Sequence, residues 1–311
     1  MKLLVAALYF LALCANANGS SNTPYCYHDP SCNDTTWPVL FSDFCNGSRQ
    51  SPVDIDTSAV TGSSNLTEII IANLSTTGLL SKIENTGRTI KVQLNPGIEF
   101  SGGNLSETYE ALQFHLHWGN GSSVPGSEHT LDGRRFPAEM HIVTIKKSLN
   151  RNTTLGVMDP EGFAAFGYFI EESTDNNSAL SQAWASINLT GLLFCDASVS
   201  APSGISLGNL TSGVNHSSYY RYKGSLTTPN CYEAVVWTVF KDTIAISSNL
   251  IDSFSSLFIG TNTSSPMMVN VFRSIQPDQP VSTQEMTGTS AASTTFSSLG
   301  LIALSLLVYW S

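Results

Sequence analysis

Charge is scarce in this chain. Only 12% of its 311 residues are charged, and 14 lysines and arginines face 24 aspartates and glutamates, for a formal net charge of −10. No basic stripe is available to neutralise phosphates, which excludes a nucleic-acid partner. Cys-x-x-Cys pairs are missing too, which argues against a thiolate zinc site. The most apolar C-terminal stretch, residues 298–311, falls short of the roughly 20 residues that a transmembrane helix needs. Helical periodicity is thin, confined to residues 178–187 and 249–258. Between residues 24 and 278 there is no internal repeat and no long linker. Histidine is rare as well, with six in the whole chain.

What is present points to a mainly β protein. Hydrophobic residues make up 41%, and Ser, Thr, Asn and Gly are abundant, a composition far from that of a disordered chain. Short alternating or β-branched segments lie at residues 68–71, 88–94, 111–118, 139–146, 163–170 and 235–240. Gly, Asn, Pro and Ser clusters separate them. One predominantly β domain over residues 24–278 fits better than two smaller ones.

Both ends carry processing signals. A lysine, an apolar run and the small-x-small site Ala15-Asn-Ala17 form a secretory signal peptide over residues 1–17. At the other end, small residues, a polar spacer and an apolar tail form the signal for a glycosylphosphatidylinositol (GPI) anchor. Ser290 or Gly288 is the expected attachment point, with residues 279–290 as a Ser/Thr-rich stalk and 291–311 as the removed propeptide. A frayed tail on a secreted protein is the plainer alternative. Asn-x-Ser/Thr sequons recur at Asn33, Asn46, Asn65, Asn73, Asn104, Asn120, Asn152, Asn176, Asn188, Asn209, Asn215 and Asn262, which agrees with export. Once Cys14 leaves with the signal peptide, Cys26, Cys32, Cys45, Cys195 and Cys231 remain. Four of these make two bridges in an oxidising compartment, with the connectivity open. Cys195, in Leu192-Leu-Phe-Cys, reads as the buried free thiol.

The most informative residues are His115 and His117 in Gln113-Phe-His-Leu-His-Trp-Gly119, and His141 in Glu139-Met-His-Ile-Val143. Histidines two apart on a strand share a face, and a third on a neighbouring strand completes a trio. Three neutral nitrogen ligands with an open fourth position describe a catalytic zinc. On spacing alone, three half-buried side chains remain an equal alternative. Gln113 and Glu139 shift the balance, because metal-bound histidines donate their second N–H to an acceptor of this kind.

Further motifs extend the pattern: Arg49-Gln-Ser-Pro52, Ser127-Glu-His-Thr130, Gly224-Ser-Leu-Thr-Thr-Pro229 and Phe272-Arg-Ser-Ile-Gln-Pro277. With the histidine strands they cover residues 24–278 in order. Together they resemble the α-class carbonic anhydrases, of the secreted, lipid-anchored kind. The resemblance implies a single domain around a large twisted, mostly antiparallel central β-sheet with few short helices. It implies Zn2+ on His115, His117 and His141, with Gln113 and Glu139 behind them. Thr227 would orient the attacking hydroxide and donate its own hydrogen to Glu128, and Thr228 would steer substrate. Val143, Ala165, Leu226, Val235 and Trp237 would form the apolar wall for carbon dioxide. Disulfides Cys45–Cys231 and Cys26–Cys32 are implied as well.

The implied activity is reversible hydration of carbon dioxide to bicarbonate at the extracellular face of the plasma membrane. Bicarbonate transporters are implied as neighbours and sulfonamides as inhibitors. A zinc-free cell-surface binding module of the same fold is the reading from another class, but such relatives lack one or more of the ligand histidines. One departure stands out. Fast members of the family carry a shuttle histidine in Asn-Gly-His, whereas this chain reads Asn85-Thr-Gly-Arg88. Arginine keeps its proton in proteins, so proton transfer is expected to be slow. Tyr27, Asn85 and ordered water are left on the path, with His28 as a weak substitute.

Overall fold

The computed structural model describes residues 25–175, 178–187 and 189–285. The signal peptide, Cys14, Ser290 with its propeptide, and the sequons Asn176 and Asn188 lie outside the described residues. Sixteen strands are present among those described. They are β1 (Asp54–Ile55), β2 (Thr61–Ser63), β3 (Ile69–Ala72), β4 (Leu80–Asn85), β5 (Ile90–Leu94), β6 (Glu99–Gly102), β7 (Tyr109–Trp118) and β8 (Thr130–Leu131). There follow β9 (Arg134–Arg135), β10 (Ala138–Lys146), β11 (Phe163–Ser173), β12 (Ser198–Ser200), β13 (Tyr219–Gly224), β14 (Val235–Phe240), β15 (Ile244–Ser247) and β16 (Ser282–Gln284).

Thirteen strands form one sheet, whose main path runs β12-β4-β5-β7-β10-β11-β14-β13-β16-β2. Most neighbours are antiparallel, as expected; β14 and β15 both run parallel to β11, which makes the sheet mixed. Five short helices stand apart from it, α1 (Trp37–Leu40), α2 (Thr153–Gly156), α3 (Ala179–Ala185), α4 (Leu207–Leu210) and α5 (Ser248–Phe254). The two helical windows legible in the sequence are α3 and α5. Ser178 starts α3 by accepting a hydrogen bond from the Ser181 amide, the usual N-cap contact.

Alternation divides the sheet into two apolar cores. Phe114, Leu116, Ile142, Ala164 and Val236 pack on one face with Trp184, Leu207, Leu210, Ile251 and Phe254 of the helices. Ala165, Phe169, Tyr222, Val235 and Trp237 pack on the other, with Val53, Ile55 and Phe136. Burying one such large side chain stabilises the fold by roughly 1.5–3 kcal/mol. The phase of β7 changes at Leu112, where the pairing with β10 shifts between Val143 and Thr144. That bulge lets Phe114 and Leu116 face the helical core while Gln113, His115 and His117 face the opposite side.

Two sequence expectations need correction. The sheet continues beyond residue 278, because Ser282–Gln284 pairs with both β13 and β2. Residues 282–284 therefore belong to the sheet, not to a stalk; backbone pairing recruits a polar strand that has no apolar pattern to announce it. Cys195 is buried but is not a free thiol. It is disulfide-bonded.

Candidate metal centre

Antiparallel pairing of β7 with β10 sets His115 opposite His141 and His117 opposite Glu139. The three imidazole rings converge, with centroids 4.9 Å apart for His115–His117, 5.3 Å for His115–His141 and 4.7 Å for His117–His141. One nitrogen from each lies within 4.8 Å of the other two. Gly167 of β11 sits opposite His141, and a Cβ there would come within 3.0 Å of Glu139 Oε1. The sheet thus leaves room for the carboxylate beneath the ring.

The outer nitrogen of each ring is occupied. His115 Nδ1 is 3.0 Å from Gln113 Oε1, His117 Nδ1 is 2.9 Å from the Val271 carbonyl, and His141 Nε2 is 2.7 Å from Glu139 Oε1. A carbonyl and a carboxylate can only accept, so His117 and His141 donate outward and their other nitrogens carry lone pairs. Those nitrogens, His117 Nε2 and His141 Nδ1, are buried with no hydrogen-bond partner. Two orphaned lone pairs facing one another are costly unless a cation sits between them. Burial first, then the neighbouring imidazoles, hold His115 well below its ordinary pKa, and burial lowers that of His117. Neutral rings are the form in which histidine binds a metal.

A second cluster, His129, Glu139 and His141, also brings three donor atoms together, but its atoms are already spent on one another. Glu139 Oε1 is 2.7 Å from His129 Nδ1 and 2.7 Å from His141 Nε2, and its Oε2 accepts the His129 amide at 2.8 Å. Burial opposes ionisation of Glu139, yet the imidazoles of His129 and His141 that face it outweigh that and hold the carboxyl well below the usual range. From His129 the chain continues through Tyr222 to Ser51. This second cluster braces the first.

Of the other residues singled out in the sequence, Glu128 is fully buried beside the trio. Its Oε1 accepts the Arg273 amide at 2.8 Å, and its Oε2 is buried without a partner, 3.8 Å from His141 Nδ1. Thr227 is buried on the loop after β13, and no hydrogen bond joins it to Glu128. Val143, Ala165, Leu226, Val235 and Trp237 do come together, in the core on the histidine face. Val143 pairs with Ala165, Ala165 with Trp237, and the Trp237 ring is 4.7 Å from that of His141. The Trp237 N–H is spent on the Ser225 carbonyl, so the wall it presents is apolar.

Cys45 is bridged to Cys231 and Cys26 to Cys32. Arg88 is buried at the turn before β5, and Tyr27 packs against Trp37. Asn85 does not lie on the histidine side. It is fully buried, donating to the Leu192 and Phe258 carbonyls and accepting from the Gly87 amide. Strand parity turns it toward the helical core, beside Ile83 and Ile90.

Several residues of the site escaped the sequence reading. Arg273, His129, Tyr222 and Ser51 lie in or beside the quoted motifs, which was their only signal. Lys91 pairs with His115 across β5 and β7, and it is neutralised by Glu84 at 2.5 Å. The Val271 carbonyl had no signal at all, because any residue supplies one.

The sequence profile of the eukaryotic-type carbonic anhydrases matches residues 32–283. The chain belongs to the carbonic anhydrase family. Mouse carbonic anhydrase 4 is 34% identical over 298 residues, covering 89% of this chain and 88% of its own length. Human carbonic anhydrase 12 is 31% identical, covering 84% and 72%, and rabbit carbonic anhydrase 4 is 32% identical, covering 82% and 81%. As a carbonic anhydrase, the chain is a carbonate dehydratase acting on carbon dioxide and bicarbonate, and its family consists of metalloenzymes. No helix of the described residues is long and apolar enough to cross a membrane.

Proposed function

We propose that this carbonic anhydrase uses Zn2+ held by His115, His117 and His141, at the outer face of the plasma membrane, and that removal of its proton limits turnover. The two buried, partnerless nitrogens facing one another carry the metal assignment. Three imidazoles with an open position are the donor set of a catalytic zinc site. When bound, zinc brings the pKa of its water to about 7, a reference value that comes from carbonic anhydrase itself.

The chain's own residues supply the rest. Gln113, Glu139 and the Val271 carbonyl fix the tautomers and aim the lone pairs. The open acceptor at Glu128 Oε2 suits a hydrogen bond donated by Thr227, which leaves the Thr227 oxygen to accept one from the attacking nucleophile. Thr228 steers substrate and water. The wall of Val143, Ala165, Leu226, Val235 and Trp237 favours an uncharged linear molecule and offers nothing to a charged product, which helps bicarbonate leave. A proton must also depart, and Arg88 cannot relay it. Burial holds the Tyr27 phenol well above its ordinary pKa, so it cannot ionise near neutrality. His28 is exposed and, with water, is what remains.

The location rests on the sequence signals, a leader over residues 1–17 and GPI attachment at Ser290 after removal of 291–311. Neighbouring bicarbonate transporters and inhibition by sulfonamides belong to the same reading. Stopped-flow hydration of carbon dioxide, with metal analysis and His117→Ala as the control, tests it. Zinc at one per chain, with activity lost together with the metal in the variant, is expected; full activity without zinc would overturn it.

A further inference from the structure

We propose that N-linked glycans at Asn65, Asn73, Asn104 and Asn215 cover the edge strand β3 and keep copies of this chain from pairing through it. The inference rests on the secretory leader in the reading above, and on neither the zinc nor the proton path.

Among the described strands, β3 pairs with β6 alone. On its outer side the Ile69 amide donates to the His216 carbonyl at 3.1 Å, and no described strand pairs with the rest. Ile69 is buried in the helical core, whereas Ile70, on the opposite face, is 60% exposed. An open edge offers unpaired backbone groups to another chain, and proteins blunt such edges with charge, proline or a bulge. Those devices are missing from β3. Its register with β6 runs without a bulge. Glu68 is the only charged residue between Asp56 and Lys82, and that stretch holds no proline. Three consecutive β-branched residues with a single flanking charge have the composition of a segment prone to intermolecular pairing.

Sequons surround this edge. Asn73 follows β3 directly, and Asn65 precedes it by four residues. Asn104 lies two residues beyond Gly102, the partner of Ile69, and Asn215 adjoins His216, which holds the Ile69 amide. The loops of Asn65 and Asn104 are joined, the Gly103 amide donating to Thr67 Oγ1 at 3.0 Å. All four asparagines are exposed. Asn73 and Asn104 have φ 59° and 57°, a left-handed conformation that asparagine tolerates. Asn73 Nδ2 donates to the Gly97 carbonyl at 2.8 Å, and an N-linked amide keeps one hydrogen for that bond. Asn215 accepts the Ser217 amide through Oδ1 at 2.9 Å, which leaves its nitrogen for the sugar. The donor is an oligosaccharide linked to a lipid pyrophosphate. Its sugar C1–O bond breaks, a C1–Nδ2 bond forms, and the nitrogen gives up one proton as the lipid pyrophosphate leaves. The attached glycans are bulky and hydrated, and they stand where a second strand would have to approach.

The test uses the full chain secreted from animal cells. Mass spectrometry of enzymatically deglycosylated peptides should find Asn73 modified together with Asn65, Asn104 and Asn215. An unmodified Asn73, or glycans confined to sequons elsewhere such as Asn152 and Asn262, overturns the proposal. A four-site variant, Asn65→Gln, Ser75→Ala, Asn104→Gly and Ser217→Ala, removes each sequon and spares the contacts described. Analytical ultracentrifugation should show its monomer lost to larger species. A control with Thr154→Ala and Ser264→Ala, which strips Asn152 and Asn262, should remain monomeric. Ile70→Lys in the four-site background should restore the monomer, because a charge blunts the edge that glycans no longer cover. A four-site variant as monomeric as the control overturns the proposal, as does failure of Ile70→Lys to rescue it. If the four-site variant is not secreted, the wild type trimmed in its folded state to single sugars with an endoglycosidase takes its place, and a trimmed protein that stays monomeric overturns the proposal. None of these readouts depends on hydration activity, so failure of the zinc reading would leave the glycan cover standing.

Discussion

His141 Nε2 lies 2.7 Å from Glu139 Oε1, a contact between residues two apart on one strand that turns His141 Nδ1 toward the other two imidazoles. Because the carboxyl of Glu139 is held well below its usual pKa, it accepts from both His129 and His141 at neutral pH. Removing it frees the His141 ring to rotate and to hold its proton on either nitrogen. Glu139→Ala is therefore expected to weaken zinc binding about 10- to 100-fold, as read by competition with a chelator. Unchanged affinity would show that packing against Trp237, not the carboxylate, orients the ring.

Much of this centre is legible in the sequence alone. The i, i+2 spacing of His115 and His117 states a shared strand face, and Gln113 and Glu139 sit at the same period. What spacing cannot give is register: that His141 opposes His115 depends on the bulge at Leu112. The resemblance put Asn85 on the proton path, whereas its pairing with Ile90 turns it toward the helical core, and which face a strand-end residue presents is decided by its partner strands. Long-range acceptors such as the Val271 carbonyl leave no trace in the sequence. The Ser282–Gln284 strand is equally silent, because a sheet edge can be paired through backbone alone.

Metal removal should expose an acid-sensitive fold. His115 and His117 are held below the ordinary imidazole value of 6.5, chiefly by burial. The unfolded chain therefore binds more protons than the metal-free native state below that pH, and stability falls as pH falls. The loss begins near the unfolded value and continues down to the lowered native ones. Glu139 is depressed as well, so its contribution is lost in a separate window below 4.5. Thermal unfolding of the metal-free protein should show Tm dropping between about pH 7.5 and pH 5.5, with zinc at the upper end raising it. A flat profile across that interval would contradict neutral, desolvated imidazoles.

Proton removal should dominate turnover. Without an ionisable relay at Arg88, kcat is expected to rise steeply with the concentration of a small imidazole-type buffer, while kcat/KM stays level. Buffers of this class titrate where the site must release its proton. A kcat independent of buffer concentration would mean that His28 or water already carries the proton fast enough.

The two disulfides should differ in what they protect. Cys45–Cys231 spans 186 residues of sequence and Cys26–Cys32 spans 6. Loop-closure entropy then favours the long bridge, about 5 kcal/mol against about 2 kcal/mol by the same relation. Native contacts around the long bridge are also extensive, since both of its cysteines pack with Trp37 and are almost fully buried. Replacing both Cys45 and Cys231 by serine is expected to lower Tm by about 10 °C or more, and replacing Cys26 and Cys32 by clearly less. Activity should separate them further. The Cys231 amide donates to the Thr228 carbonyl at 2.8 Å, so loosening Cys231 loosens the turn that carries Thr227 and Thr228. A fall in kcat/KM confined to the Cys45/Cys231 variant, measured well below its Tm, would place the effect in that turn. Equal Tm losses from the two pairs, or a larger one from Cys26/Cys32, would refute the assignment.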